Sequence, residues 1–373
     1  MLVKEKSSNS IILSIVLMLT IFTLSAHANE ACEYEAFLIA NHHAEAEAST
    51  GNLARKQATD EALKSAWRKL INRLVIAGQD ITPLMQIEPI NVVLYMRVQN
   101  ETVLTTRYIA DLDYCFDREL VRQLFREYNI AYAELVSDRI MLLPIFISGD
   151  RTNLWKQPNP WKNTLERILP DHNGLVQLSI PSGLILERRI TGQGIIADPK
   201  SAIATAASLD NVSMVLLTSA RVTIASSGLE LAVTGGLYDR DGNQLAELEE
   251  TSLPMTNSTD LPSHLDQLGQ DMIANIEQVW RQVNLVDLNA QNMMRLSVTI
   301  TSLEEWFQLL TRLENLSPVE TVQLRQLSAD EAVMDITING SPEAMDYALE
   351  QLGFRIESNP DTSVGGFVLI NRN

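Results

Sequence analysis

The sequence has few of the residues from which metal centres and nucleophilic active sites are built. It contains five histidines and two cysteines, and the GxSxG, Walker-type and HExxH motifs do not occur in it. His42 and His43 are adjacent, and on a strand adjacent side chains point to opposite faces. The pair is therefore a poor ligand set for one metal ion. We predict no catalytic residue, no cofactor and no metal site.

Two short patterns contain only part of a ligand-binding motif. Gly192-Gln193-Gly194 lacks the third glycine of a dinucleotide-binding loop and does not follow a clear strand. Asp239 and Asp241 resemble the start of a calcium loop, but no acidic residue ends the pattern of roughly 12 residues. Residues 239–243 therefore predict a hairpin turn, with ion binding as the less favoured alternative.

Basic residues are in the minority. The chain has 29 Lys and Arg against 47 Asp and Glu, which gives a net charge of −18. A field of that sign repels phosphate backbones and anionic lipid headgroups, so we expect no nucleic-acid partner. The simplest role of this charge is solubility. Apolar residues make up 46% of the 373 residues, enough for proper cores, and the length indicates two or three domains.

Long apolar runs are absent except near the start of the chain. Lys4 and Lys6 precede an uncharged run over 11–24, and Ala26-His27-Ala28 has the small-x-small pattern of a cleavage site. We predict a signal peptide over residues 1–28, cleaved after Ala28. The run is shorter than the about 20 residues of a membrane span, so an uncleaved anchor is the weaker alternative. We expect an extracytoplasmic protein with no transmembrane segment after cleavage.

Cys32 and Cys115 are the two cysteines. An even count in an exported chain favours one disulfide bond between them, and two buried free thiols are the alternative. The chain-entropy model assigns a bond across so long a loop a stabilisation of about 4 kcal/mol, as an upper estimate.

The predicted N-terminal α+β domain covers residues 29–137. Alternation at 44–48 indicates a strand, and a second strand is predicted over 103–115, followed by a short helix.

Between those strands, residues 53–76 predict a long amphipathic helix. Alanines at 58, 62 and 66 form a narrow stripe suited to close packing on a sheet. We expect Trp67 to be buried beside this stripe. The helix's basic residues, Arg73 among them, are expected on the solvated face.

The predicted middle domain, residues 138–289, is of the α/β class. The apolar run 140–147 is typical of a strand buried on both faces, and 212–217 is a second such run. Helical patterns alternate with these strands, and a hairpin around 239–243 follows.

The predicted C-terminal domain, residues 290–373, has the element order βαββαβ of a ferredoxin-like domain. A strand over 296–301 precedes a capping box at 302–305, and Ser341-Pro342 opens a second helix. We expect this domain to fold alone. The whole chain is thus predicted to be a multi-domain protein of mixed α+β and α/β class.

Four segments carry a family resemblance: ATDEALKSAWRKLINRL (58–74), YCFDRELVRQLFREYNI (114–130), MLLPIF (141–146) and the helix start at Ser302-Leu303 with Trp306. Together they resemble the secreted proteobacterial proteins filed as domain of unknown function 2066. The resemblance implies a periplasmic or envelope location in a Gram-negative cell and no assigned activity. The middle domain is also distantly similar to the α/β N-terminal domain of periplasmic Tol-system proteins and outer-membrane assembly lipoproteins.

These patterns lead to two functional hypotheses. The first is a non-enzymatic periplasmic protein that binds other envelope proteins as a scaffold or assembly factor. The alternative is a periplasmic hydrolase or small-molecule-binding protein with a site between the first two domains. A deep pocket with converging polar groups would favour the alternative, whereas exposed apolar surface would favour the first.

Overall fold

The structure, a computed structural model, describes residues 32–225, 228–287, 291–359 and 366–371. The predicted signal peptide and its cleavage site lie outside the described residues. The elements that follow all belong to one structural unit, residues 36–373. Within the described ranges, no helix has the length and apolar character needed to cross a membrane.

The described residues form fourteen strands and ten α-helices. The strands are β1 (Leu38–Glu47), β2 (Val93–Val103), β3 (Arg107–Phe116), β4 (Arg139–Ser148), β5 (Arg151–Asn153), β6 (Gln177–Ser179), β7 (Met214–Ala225), β8 (Gly228–Asp239), β9 (Gln244–Met255), β10 (Gln291–Thr299), β11 (Val319–Leu327), β12 (Glu331–Asn339), β13 (Phe354–Asn359) and β14 (Gly366–Asn371). The helices are α1 (Gly51–Leu74), α2 (Thr82–Met85), α3 (Arg118–Glu127), α4 (Pro160–Ile168), α5 (Leu184–Arg189), α6 (Gly192–Ala197), α7 (Pro199–Asp210), α8 (Leu261–Val283), α9 (Leu303–Glu314) and α10 (Pro342–Gln351). They build three sheets, so the predicted multi-domain α+β class is confirmed.

The first sheet is antiparallel with the order β1-β3-β2, and α1 packs on it. The predicted alanine stripe, Ala58, Ala62 and Ala66, is buried. Trp67 is buried as predicted, and its indole Nε1 donates to the carbonyl oxygen of Leu84 at 2.8 Å. Small side chains let the helix approach the sheet closely, and the tryptophan fills the space beside them.

The strand predicted over 103–115 is present as β3, but it begins at Arg107, and the sequence did not predict β2. The chain turns between Val103 and Arg107, so that β2 and β3 form two antiparallel strands. None of the eleven residues of β2 is buried, because β2 lies at the edge of the sheet. A strand with no buried face lacks the strict alternation by which strands are found in a sequence.

Cys32 and Cys115 are joined by a disulfide bond, the pairing that the sequence predicts. Cys115 lies in β3 and is buried. The described part of the chain contains no free cysteine.

The second sheet has the order β5-β4-β7-β8-β9, and β6 pairs with β4. Residues 140–147 of β4 are buried throughout, which confirms the predicted two-sided burial. On one face, Leu143 and its alternate neighbours pack with α5, α6 and α7. On the other, the indole Nε1 of Trp161 in α4 donates to the Thr218 hydroxyl at 3.0 Å, and α8 packs beside α4. The sequence did not predict α5 and α6, since six residues are too few to show a helical period.

The predicted hairpin turn joins β8 to β9. A carboxylate oxygen of Asp239 accepts hydrogen bonds from the backbone N–H of Asp241 at 2.9 Å and of Asn243 at 2.7 Å. Gly242 has φ +78°, which a residue with a side chain rarely adopts. The Asp239 carboxylate therefore stabilises the turn itself.

The third sheet has the order β11-β12-β10-β14-β13, with α9 and α10 packed against it. All the predicted elements are present. The last two strands, predicted over 354–357 and 367–370, are β13 and β14, so the sheet has five strands. β14 lies between β10 and β13, parallel to β10. The boundaries predicted between the three domains, after residues 137 and 289, stay predictions.

Candidate functional site

A cavity of about 620 Å³ lies between α1, the loop that follows α4, and α8. Since α1 belongs to the predicted first domain and α4 and α8 to the middle one, this is the position that the alternative hypothesis requires. Pockets for small molecules typically enclose about 300–1,000 Å³. We call this cavity the α1–α8 cleft.

Glu277 of α8 lines the α1–α8 cleft and is buried. Its carboxylate accepts hydrogen bonds from the backbone N–H of Leu175 at 3.1 Å and of Val176 at 2.8 Å. The Nε2 of His172 lies 3.0 Å from the same carboxylate and 3.2 Å from the Val176 carbonyl oxygen. Both neighbours are acceptors, so Nε2 carries the proton.

The pKa of Glu277 reflects these opposing surroundings. Burial raises the pKa of the carboxyl, but the hydrogen bonds from His172 and Val176 outweigh burial and lower the pKa below its ordinary value. The group is therefore an anion at neutral pH. Because several donors already occupy it, the His172–Glu277 pair stabilises the loop rather than serving as an open acid–base pair.

Gly174 is required by the close approach of this loop to α8. A Cβ atom at this position would lie 1.9 Å from Glu277 Oε1 and 2.6 Å from His172 Cε1. Any side chain would displace the carboxylate. The glycine thus lets the loop pack directly against Glu277.

Arg73 connects α1 to this loop. Its Nε donates to the Asn173 carbonyl oxygen at 2.8 Å, and its Nη1 donates to the carbonyl oxygens of Ala36 at 3.0 Å and Leu38 at 2.7 Å. The prediction that Arg73 lies on a solvated face is wrong: it is buried. Its acceptors are backbone carbonyls distant in sequence, and no local pattern predicts these contacts.

Arg281 lies one helical turn after Glu277 on α8. Its Nη1 donates to the Arg73 carbonyl oxygen at 3.3 Å and lies 3.4 Å from Glu277 Oε2. The contact joins the end of α1 to α8 across the cleft.

The α1–α8 cleft is electropositive in an acidic protein. Its charged lining comprises Lys69, Arg73, Arg167, Arg281, Asp171 and Glu277, two more cations than anions. The chain as a whole carries −18. The cleft therefore has the local charge that favours an anion.

A second buried glutamate lies where α3 meets the segment that follows α9. Glu134 accepts hydrogen bonds from Arg118 Nη2 at 2.6 Å and Arg122 Nε at 3.1 Å. The same guanidinium groups donate to the carbonyl oxygens of Asn315 at 3.1 Å and Ser317 at 3.3 Å, beyond the end of α9. Burial raises the pKa of Glu134, but the two arginines outweigh burial and lower it. We call this set the Glu134 junction.

The segment around Glu134 also contacts α1 and α8. Tyr132 forms isolated β-bridges with Val75, after α1, and with Val286, after α8. The indole Nε1 of Trp280 donates to the Leu135 carbonyl oxygen at 2.7 Å. Parts of all three predicted domains thus share hydrogen bonds with one short segment.

The outer edge of β2 is an apolar surface. Leu94 and Met96 are 62% and 44% exposed, and Ile90, Val103 and Leu104 are exposed nearby. No described residue pairs with this edge of the sheet. Unpaired backbone N–H and C=O groups beside exposed apolar side chains are the features that strand addition uses. We call this surface the β2 edge.

The adjacent histidines lie on opposite faces of β1. His42 is buried, and its pKa is lowered to about 4 by burial and by the nearby charge of Lys69. His43 is exposed, and its ring nitrogens lie 3.4 Å from Glu45 and 3.5 Å from Asp111. Among the residues that the structure describes, no three His, Cys, Asp or Glu are grouped so as to hold a metal ion.

No family model matches the chain, and no curated protein matches it. Solved structures similar to part of it include a lipoprotein from Neisseria meningitidis (18% identity over 37% of this chain and 98% of that one, TM-score 0.25). They also include a hypothetical protein from Chlamydia trachomatis (11% identity over 38% of this chain and 96% of that one, TM-score 0.26). A third is TolB from Acinetobacter baumannii (17% identity over 40% of this chain and 30% of that one, TM-score 0.22). At these identities and TM-scores no function transfers, and the resemblance to domain of unknown function 2066 stays a prediction.

Proposed function

We propose that this is a non-enzymatic periplasmic protein that binds another envelope protein through the β2 edge. The observation that supports the proposal most directly is an eleven-residue edge strand without a buried residue, on which Leu94 and Met96 are exposed. An exposed edge strand with apolar side chains is a liability unless it is covered, because it can pair with other chains. The predicted signal peptide and the disulfide bond support the periplasmic location.

The partner that fits the β2 edge is an extended segment of another protein. Main-chain hydrogen bonds to β2 would supply affinity, and apolar side chains at alternate positions would cover Leu94 and Met96. The net charge of −18 favours basic residues near that segment.

The buried contacts of Glu134 and Arg73 are consistent with a scaffold. Buried Glu134 and the Arg73 contacts connect elements that are distant in sequence. A binding edge gains affinity when the elements behind it are already ordered, because less conformational entropy is lost on association.

Site-specific photo-crosslinking in cells tests the proposal. A photoreactive amino acid at position 96 should give one discrete adduct with an envelope protein. The same amino acid at position 303, where Leu303 is 57% exposed on α9, is the matched control and should give none. Adding Leu94→Lys should abolish the adduct at position 96 while the protein remains folded. No adduct at position 96, or equal adducts at both positions, would refute the proposal.

A further inference from the structure

We propose that the α1–α8 cleft binds a small oxyanion, a phosphate monoester or a carboxylate. This inference is independent of the β2 edge and goes beyond protein binding. It rests on the volume of the cleft, the charge of its lining and the presence of cations from two different helices in that lining.

The two walls present cations from different elements. Lys69 lies on α1, is exposed, and forms no ion pair with any described residue. Arg281 lies on α8, where Glu277 and the Arg73 carbonyl oxygen fix its guanidinium group. Cations from two helices in one lining can contact different oxygens of one phosphate or carboxylate.

Arg281 also has unused hydrogen-bonding capacity. Its Nε is buried and has no acceptor among the described residues, although the residue lines the cleft. A buried donor without an acceptor is costly, and native proteins satisfy nearly all of them. A ligand oxygen in the cleft would supply an acceptor after a small shift of the side chain.

Ion pairs cancel part of this charge. Arg281 lies 3.4 Å from Glu277 Oε2, and Arg167 pairs with Asp266, which is outside the lining. Lys69 keeps its charge without an ion pair to any described residue. The chain as a whole has a net charge of −18, which opposes anions. The volume of about 620 Å³ is in the range of small-molecule pockets.

A bound anion would contact α1 and α8 together. Because these helices belong to different predicted domains, the ligand would stabilise their contact and raise the unfolding temperature.

Isothermal titration calorimetry at low salt tests the inference with three probes: inorganic phosphate, glycerol 3-phosphate and succinate. We expect saturable binding of at least one probe at millimolar or lower concentration. Lys69→Gln should weaken binding about fivefold, as loss of one ion pair does. Lys64→Gln is the matched control, since Lys64 is exposed on the same helix but outside the lining, and it should change affinity less than twofold.

Arg281→Gln supplies a second variant, with circular dichroism to show that it is folded. We expect a larger loss of binding than for Lys69→Gln; if Arg281→Gln does not fold, Lys69→Gln alone decides the result. Sedimentation with phosphatidylglycerol vesicles distinguishes the source of the oxyanion. Binding to vesicles that depends on Lys69, without binding of the soluble probes, would identify a lipid headgroup. No binding of any probe, or equal weakening by Lys64→Gln and Lys69→Gln, would overturn the inference.

Discussion

The Glu134 junction and the α1–α8 cleft are both organised around a buried carboxylate, but the donors that bind it differ. Each has a buried glutamate whose pKa is lowered by hydrogen-bond donors from other elements. Glu134 receives two guanidinium groups, and these go on to donate to backbone carbonyls. Glu277 instead receives a histidine and two backbone N–H groups. At Glu134 both cations are paired with the carboxylate, whereas at Glu277 one cation, Arg281, is paired and Lys69 lines the cavity without an ion pair.

The difference indicates which site is structural and which can accept a ligand. At Glu134 the carboxylate and both arginines are buried or nearly so, and their hydrogen bonds end on protein atoms. At Glu277 the neighbouring Lys69 and Arg281 face a cavity. We therefore expect Glu134 to matter for stability alone, and the cleft to matter for stability and binding.

The largest expected effect comes from breaking the Glu134 junction. Glu134→Gln would leave two buried arginines without a counter-charge, and the expected loss is about 3–5 kcal/mol in the free energy of unfolding. Urea denaturation measures it. Glu119→Gln is the control, because Glu119 is an exposed partner of Arg122 and should contribute little. A loss for Glu134→Gln no greater than for the control would show that the junction is not structural.

His42 dominates the expected response to mild acid. Its pKa is about 4 in the folded chain and about 6.5 when unfolded. The unfolded state therefore takes up a proton first, and stability falls as the pH drops from 6.5 to 4, by up to about 3 kcal/mol. His42→Leu should remove this slope, whereas His43→Leu, at the exposed neighbouring position, should retain it.

In the His42→Leu protein, the acid response of the two buried glutamates can be measured without that of His42. Both glutamates have a folded pKa below the ordinary value of 4.5. Their stabilisation is complete above pH 4.5 and is lost as the pH falls through the folded values. If the His42→Leu protein loses no stability below pH 4.5, the carboxylates do not stabilise the junctions as described.

A smaller loss is expected from Glu277→Gln, because part of its hydrogen bonding survives. We expect the free energy of unfolding to fall by about 1.5–3 kcal/mol, the range for hydrogen bonds to a charged group. Urea denaturation beside Glu166→Gln, an exposed position on α4, gives the comparison. A loss equal to that of Glu134→Gln would remove the distinction between the two sites.

The smallest effect on stability is expected at Lys69. Lys69→Gln removes an exposed charge without an ion pair, so the free energy of unfolding should change by less than about 0.5 kcal/mol. Ligand binding should nevertheless weaken. A large loss of stability in urea would mean that Lys69 is a structural residue.

Much of the fold could be predicted from local patterns. The alanine stripe of α1, the apolar run of β4 and the capping residues of the third sheet's helices each specify structure within a few residues of themselves. The buried position of Trp67 follows from the same helical period. Neither β2 nor α5 leaves such a pattern, because one is exposed and the other is very short.

The candidate sites could not be predicted in the same way. Arg73 reads as an exposed helix residue, and its burial depends on carbonyls of Ala36, Leu38 and Asn173. Glu277 binds donors more than 100 residues earlier in the chain, and Glu134 binds arginines 16 and 12 residues earlier, on a separate helix. The spacing of Arg118 and Arg122, one helical turn apart, is the one local signal of the Glu134 junction, and alone it is typical of any solvated helix.

Ligand-induced protection is the most direct test of the claim that the cleft binds an anion and the Glu134 junction does not. Thermal unfolding would be followed with and without glycerol 3-phosphate for the wild type, Glu134→Gln and Lys69→Gln. We predict that the ligand raises the unfolding temperature of the wild type and of Glu134→Gln alike, and that the rise is reduced in Lys69→Gln. No rise in the wild type, or the same rise in all three proteins, would contradict this account.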